Sequence, residues 1–334
     1  MNRHHGLLNS MARLEQLEAA FRRAFRGKRR QRAPAAFYIH LEQELPVLQR
    51  RLLRGDYEFS PYRLKLIRVP KKRVIAAAPF RDRVVHHAIH GALEPVFAPS
   101  FIHDTYACLP GRGGHRAVFR FQQFMRRWPF VIRLDVVKYF PSCFWDSVLS
   151  ILWSRIADRG FMELMERLLS SAAGLYDRMD VREFMGLRSG MCSNARQGLP
   201  IGNLTSQFFG NLLLDGLDQY CKRTLKIPGY IRYMDDIAIF AGDRGQARFW
   251  AAAAREWLLE ARGLELHADP RVLHCRSTSL VYLGYHLTVN SRRIRAKTLR
   301  RLRAKTRLFV TGAGRNDHEA FLRSLHAYAG LALV

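Results

Sequence analysis

Two adjacent carboxylates stand in the middle of a strand-forming run, "YIRYMDDIAIF" at residues 230–240. Tyr230, Ile231, Tyr233, Ile237, Ile239 and Phe240 favour a pleated, half-buried environment, whereas Asp235 and Asp236 resist burial and repel each other. A hard divalent cation would offset that cost, because such ions take oxygen ligands. A third carboxylate is available in "FVIRLDVV" at 130–137, where Phe130, Ile132 and Leu134 alternate with Val131, Arg133 and Asp135. Two Asp residues at a hairpin tip and a third on a neighbouring strand form a cage for two metal ions. Ions about 4 Å apart stabilise the attacking and leaving oxygens of an in-line phosphoryl transfer. An isolated Asp-Asp pair can also be a plain exposed turn.

The elements around these residues follow from periodicity. Residues 11–26 place Met11, Leu14, Leu17, Phe21 and Phe25 at helical spacing, with Asn9 or Ser10 as cap and Gly27 as stop. Residues 62–69 alternate as a strand, and 81–97 form a helix through Val84, Val85, Ala88, Ile89, Leu93 and Val96. Strand 130–137 is followed by helices at 145–157, 161–176 and 205–223, then the strand pair around 230–240. A helix near 245–262 and strands near 264–275 and 280–287 come next. From about 292 a basic helix begins, "SRRIRAKTLRRLRAKTRLF", and 316–331 reads as another.

Composition identifies the partner class. The chain has 334 residues, of which 55 are Lys or Arg and 28 Asp or Glu, a formal net charge of +27. A polyanion suits that excess, since each neutralised phosphate releases condensed counterions. No run of about 18 apolar residues could span a bilayer, and the N-terminus turns polar before a secretory apolar core forms, so cytoplasmic residence is expected. Cys108, Cys143, Cys192, Cys221 and Cys275 are widely spaced with no CxxC pair, which supports neither a disulfide framework nor a zinc site. His86 and His90 are four apart on a helix without a nearby third ligand, so packing explains them as well as metal does. The basic knot "RGKRRQR" at 26–32 reads as a solvated linker or a phosphate contact.

The motifs resemble those of reverse transcriptases. "YMDD" at 233–236 is similar to their catalytic box and "RLDVVKYFPS" at 133–142 to their first carboxylate motif. "RVPKKRVIAAAPFRDRVVHHAI" at 68–89 resembles the fingers motifs of bacterial, group II intron-like enzymes, "DTYACLPGRGGHRAV" at 104–118 their next block, and "YLGYHL" at 282–287 their primer grip. "GLPIGNLTSQFFGN" at 198–211 resembles the enzymes of diversity-generating retroelements, as does the short length. The implied fold is an α+β right-hand polymerase with an antiparallel palm sheet: N-terminal extension and fingers at 1–130, palm at 131–290, and a short basic helical thumb at 291–334.

By that resemblance Asp135, Asp235 and Asp236 hold two Mg²⁺ ions, which Mn²⁺ can replace, with the Val136 carbonyl as a further ligand. Lys71 and Arg73 meet the incoming dNTP, where guanidinium geometry suits phosphate oxygens. Phe140 stands where these enzymes gate against a ribose 2′-OH. Ile201, Gly202, Asn203 and Gln207 belong to the nucleotide loop, and Leu283, Gly284 and Tyr285 to the primer grip. Partners would be template RNA, the RNA/cDNA duplex with its primer, dNTPs and a small basic accessory protein. The source would be bacterial or phage. Ile201 stands where most relatives carry Gln and offers shape without a hydrogen bond, which is expected to loosen base selection unless Ile201 merely packs. Arg271 is nearest to a Lys found in related enzymes and stays unassigned, since guanidinium scarcely loses a proton. A retron or phage-defence role is the alternative within this chemistry, with "VTG" at 310–312 a weak match to a retron signature. An RNA-binding scaffold is the alternative outside it.

Overall fold

The computed structural model describes residues 3–68, 71–188, 190–192, 196–268, 270–311 and 322. In chain order, α1 (Leu7–Met11), α2 (Leu14–Phe25), α3 (Arg32–Ile39) and α4 (Leu41–Arg54) precede the antiparallel strands β1 (Arg63–Ile67) and β2 (Arg73–Ala77). Helices α5 (Phe80–Phe97) and α6 (Gly114–Arg127) lead to β3 (Phe130–Asp135). After it come α7 (Tyr139–Ser142), α8 (Trp145–Arg155), α9 (Arg159–Ser170), α10 (Met179–Met185) and α11 (Leu204–Gln219). Strands β4 (Gly229–Tyr233) and β5 (Asp236–Ala241) follow, then α12 (Arg244–Arg262), β6 (Val272–His274), β7 (Leu280–Tyr282), β8 (Tyr285–Leu287), β9 (Arg292–Ile294) and α13 (Ala296–Val310). The class is α+β with antiparallel sheets, as expected. Among the described residues no helix is long and apolar enough to cross a membrane.

The chain divides into two discontinuous units. One combines Met1–Ile102, Val136–Gln219 and Arg255–Leu266; the other combines His103–Asp135, Tyr220–Ala254 and His267–Val334. In the first, α5 packs against α2 and α11, and a smaller core of Val74, Ala76, Leu175, Tyr176, Val181 and Met185 joins β2 to α10. The second is built on the sheet β4-β5-β3-β6. Val131, Ile231, Ala238 and Phe240 on one face of that sheet bury against Ala117, Val118, Phe121, Phe124 and Met125 of α6. Phe121 stacks on Tyr282 at 4.2 Å between ring centroids, which brings β7 into the same core.

Three expectations need correction. Asn9 and Ser10 lie inside α1, and α2 starts from Arg13 without a side-chain cap. The segment from 292 begins as strand β9, paired with β8, before α13 starts at Ala296. The helix expected at 316–331, like the end of the "VTG" triplet, lies outside the described residues. Gly27 does stop α2, with φ +72 that a residue with a Cβ would resist.

The histidines of α5 serve packing. His86 is wholly buried, and its Nδ1 lies 2.7 Å from the Thr205 hydroxyl on α11. His90 pairs with Glu94 at 3.5 Å and meets the Phe208 ring. Burial, with His87 and Arg83 nearby, pushes His86 down to about 3; burial and Lys28 push His87 down to about 4. Both values lie below the unfolded one, so the unfolded chain takes up protons that the folded chain refuses. Stability is therefore fully present above pH 6.5 and declines as pH falls toward 3, at up to about 1.4 kcal/mol per pH unit for each group. Urea unfolding at pH 7 and pH 5 should show this slope, flattened in His86→Gln; an equal slope in the variant rejects a neutral buried His86.

Candidate active site

The three carboxylates belong to one unit, two of them on neighbouring strands and the third in the turn beside them. Asp135 ends β3 and is the direct register partner of Asp236, which opens β5. Such opposed residues hold their Cβ atoms about 4.5–5.5 Å apart on the same face. Asp235 occupies the two-residue turn between β4 and β5 with Met234, since Tyr233 pairs with Asp236. Met234 is left-handed at φ +56, an uncommon conformation for a side chain that long.

Arg232 explains how that turn is held. It has no solvent exposure, and its guanidinium donates to the Met234 carbonyl at 3.1 Å. Its backbone N–H donates to the Asp104 carbonyl at 2.9 Å, and its carbonyl accepts from Tyr106 at 3.1 Å, so the segment around Thr105 lies against β4. The residue before the aromatic of the catalytic box therefore anchors the turn from below. A buried arginine between strand hydrophobes was the sequence signal for this role, and sequence reasoning passed over it.

A second arginine was also missed. Arg133 shares the face of Asp135, and its fork grips Asp236, with Nε 3.2 Å from Oδ1 and Nη2 2.5 Å from Oδ2. Its Nη1 donates to the Val281 carbonyl at 2.6 Å, and its charge lies 5.6 Å from the Tyr282 ring centroid. The Tyr282 hydroxyl is buried with no hydrogen-bond partner, and burial and the Asp236 charge hold its proton well above the usual phenol range.

Among the described residues no group of three His, Cys, Asp or Glu side chains is gathered as a metal site. Beside the two facing carboxylates, Arg133 supplies a positive charge hydrogen-bonded to Asp236. The donor chemistry nevertheless fits a hard divalent ion. Asp135 is exposed, Asp235 and Asp236 are half-buried, and oxygen is the donor each offers.

The residues expected to form a primer grip fold as a hairpin. Tyr282 pairs with Tyr285, and the connecting Leu283 and Gly284 take φ +43 and +92, the doubly left-handed combination of a tight two-residue turn. The Gly284 carbonyl accepts from Arg295 N–H at 3.0 Å. Leu283, Tyr285 and Tyr233 line a cavity of about 610 Å³ with Arg112, His115 and Arg116.

The expected nucleotide residues lie in the other unit. Lys71 is exposed, and Arg73 is exposed at the start of β2. Phe140 is half-buried in α7, and its carbonyl accepts from Leu199 at 2.8 Å. The loop bearing Ile201 is tied to β2: Ala76 N–H donates to the Ile201 carbonyl at 2.9 Å, and Asn203 Nδ2 donates to the Ala76 carbonyl at 3.0 Å. Asn203 is buried and braces the loop through main chain. Gly202 is left-handed at φ +108, and a Cβ there would meet Ile75 Cγ2 at 2.7 Å. Ile201 packs half-buried on the β2 core, and Gln207 lies in the first turn of α11. Val136 directly follows Asp135 and is buried, and Arg271 is exposed before β6.

The chain is similar to several known proteins. Protein YkfC of Escherichia coli K12 is 27% identical over 290 residues, which cover 74% of this chain and 72% of that protein. A putative COX1/OXI3 intron 2 protein of Saccharomyces cerevisiae is 26% identical over 168 residues, covering 49% of this chain but only 18% of that protein. Among solved structures, a telomerase from Candida albicans in complex with a telomeric RNA fragment aligns at TM-score 0.46 and 11% identity, over 72% of this chain and 46% of that one. The family profile described as reverse transcriptase (RNA-dependent DNA polymerase) matches residues 68–287, well over half of the sequence. The chain belongs to the reverse transcriptase family, the enzymes that build DNA on an RNA template.

Proposed function

We propose that this chain copies a template RNA into cDNA by two-metal nucleotidyl transfer, and that it serves a diversity-generating retroelement whose cDNA carries errors at template adenines. The observation supporting the chemistry is the register pairing of Asp135 with Asp236 beside Asp235 in its turn. Mg²⁺ ions, replaceable by Mn²⁺, supply charge stabilisation for the attacking and leaving oxygens when bound. Asp135, Asp235, Asp236 and the Val136 carbonyl are the protein's oxygen ligands for them. Arg73 and Lys71 bind the triphosphate of the dNTP, Phe140 excludes a ribose 2′-OH, and Gly202, Asn203 and Gln207 shape the nucleotide loop. Leu283, Gly284 and Tyr285 support the primer end, and the basic face of α13 follows the RNA/cDNA duplex backbone. A small basic accessory protein helps hold the RNA.

Ile201 supports the retroelement reading. Its main chain is fastened to β2 and its half-buried side chain packs beside the β2 core, so in this reading the nascent pair meets an apolar residue that has no hydrogen-bonding group to offer. Selectivity differences of about 1 to 3 kcal/mol arise from such contacts. Ile201→Gln should lower misincorporation opposite template adenine several-fold with extension retained. The test is primer extension on an RNA template with Mg²⁺ and four dNTPs, followed by sequencing of the cDNA. Errors concentrated at adenine support the retroelement; faithful cDNA from the wild type favours a retron or defence role. No product even with native RNA and accessory protein would return the chain to an RNA-binding scaffold.

A further inference from the structure

Arg133 faces Ala238 across the β3–β5 ladder, so the small opposing side chain leaves the guanidinium room to reach diagonally to Asp236. It engages both carboxylate oxygens, and the pair is only partly exposed, at 36% for Arg133 and 23% for Asp236. The remaining arm is spent on the Val281 carbonyl, and the Tyr282 ring lies against the charge. A forked arginine is thus locked at three points: a carboxylate, a strand carbonyl and an aromatic face. Guanidinium does not lose its proton, so this charge is permanent.

A divalent ion approaching Asp236 must compete with that fork for the same oxygens and must also meet a fixed positive charge. Resting on the two-metal reading above, we propose that Arg133 is a positioning residue that acts as the resident counter-ion of Asp236. It quiets the repulsion between Asp135 and Asp236 in the metal-free protein, and it holds divalent-ion affinity down until the fork lets go. Because the same side chain grips Val281, one residue before Tyr282, release of Asp236 is geared to the hairpin that bears Leu283, Gly284 and Tyr285. Metal loading and the seating of the primer end are thereby linked through one side chain.

The test is a Mn²⁺ titration of the full chain without RNA or dNTP, reading free Mn²⁺ by electron paramagnetic resonance. Arg133→Gln keeps a polar amide in the site but lacks the charge and the fork. It should bind Mn²⁺ about tenfold more tightly than wild type, and the gain should vanish in Arg133→Gln/Asp236→Asn. Arg133→Lys, which keeps the charge without the fork, should fall between. Equal or weaker affinity in Arg133→Gln, with a wild-type circular dichroism spectrum, overturns the proposal. Where that variant fails to fold, Arg133→Lys decides in the same way. Wild-type binding that depends on Asp235 and Asp236 but is unmoved by Arg133 variants sinks this inference alone. Binding that ignores Asp235 and Asp236 in every variant sinks the two-metal reading with it.

Discussion

Asp235→Ala and Asp236→Ala should each reduce RNA-templated primer extension by about a thousandfold if both are the metal ligands proposed above, since such a ligand supplies several kcal/mol of transition-state charge stabilisation. The fold should survive both changes. Asp235 stands in a turn, and Asp236 keeps its backbone pairs with β3 and β4 whichever side chain it carries. The two variants should differ in one respect. Asp236→Ala strips Arg133 of its carboxylate and leaves a partly buried charge beside Val281 and Tyr282, so it should melt lower than Asp235→Ala. Extension assays with thermal melts on the same preparations check both statements. Extension by either variant within tenfold of wild type would remove these aspartates from the chemistry.

Arg232→Ala should lower folding stability by about 3 to 5 kcal/mol, the range for a large buried side chain whose removal leaves a cavity and unmatched partners. Arg232 is the largest wholly buried side chain described, and it reaches the carbonyl of a left-handed Met234. The turn that presents Asp235 would then lose its inner tether, so activity should fall even in the fraction still folded. Arg232→Lys should rescue little, because a single ammonium cannot reproduce a planar fork. Denaturant unfolding supplies the stability, and extension per folded molecule supplies the activity. A variant as stable as wild type would contradict the anchoring role.

Much of this was legible in the sequence because local pattern carried it. Strand alternation located β3 and β5 within a residue or two, the apolar spacing of 81–97 gave α5, and the order of motifs identified the family. Helices α1, α3, α4, α7 and α10 passed unnoticed, being short or carrying Pro34 and Pro46, and so did α6, whose start was read only as a motif. The larger omission concerns the arginines. Arg133 reads as the polar half of an alternating strand, and nothing local shows that its partner lies 103 residues away. Arg232 reads as a misfit in an apolar run until the fold supplies a carbonyl for it. Asn203 carries the opposite lesson: a residue expected to touch nucleotide turns its amide to the Ala76 and Pro200 carbonyls. Pairings of this kind are set by tertiary approach, which periodicity does not encode.

The loop that carries Ile201 is secured by groups that every amino acid shares. Gly198 N–H donates to the Cys143 carbonyl at 2.8 Å, Leu199 N–H to Phe140 at 2.8 Å, and the Ile201 carbonyl receives Ala76 at 2.9 Å. The peptide group of position 201 is thus moored whichever side chain it carries, although the Ile201 side chain itself packs against the β2 core. Under the function proposed above, copying accuracy becomes a trait that one codon can tune while the main-chain moorings of the loop stay in place.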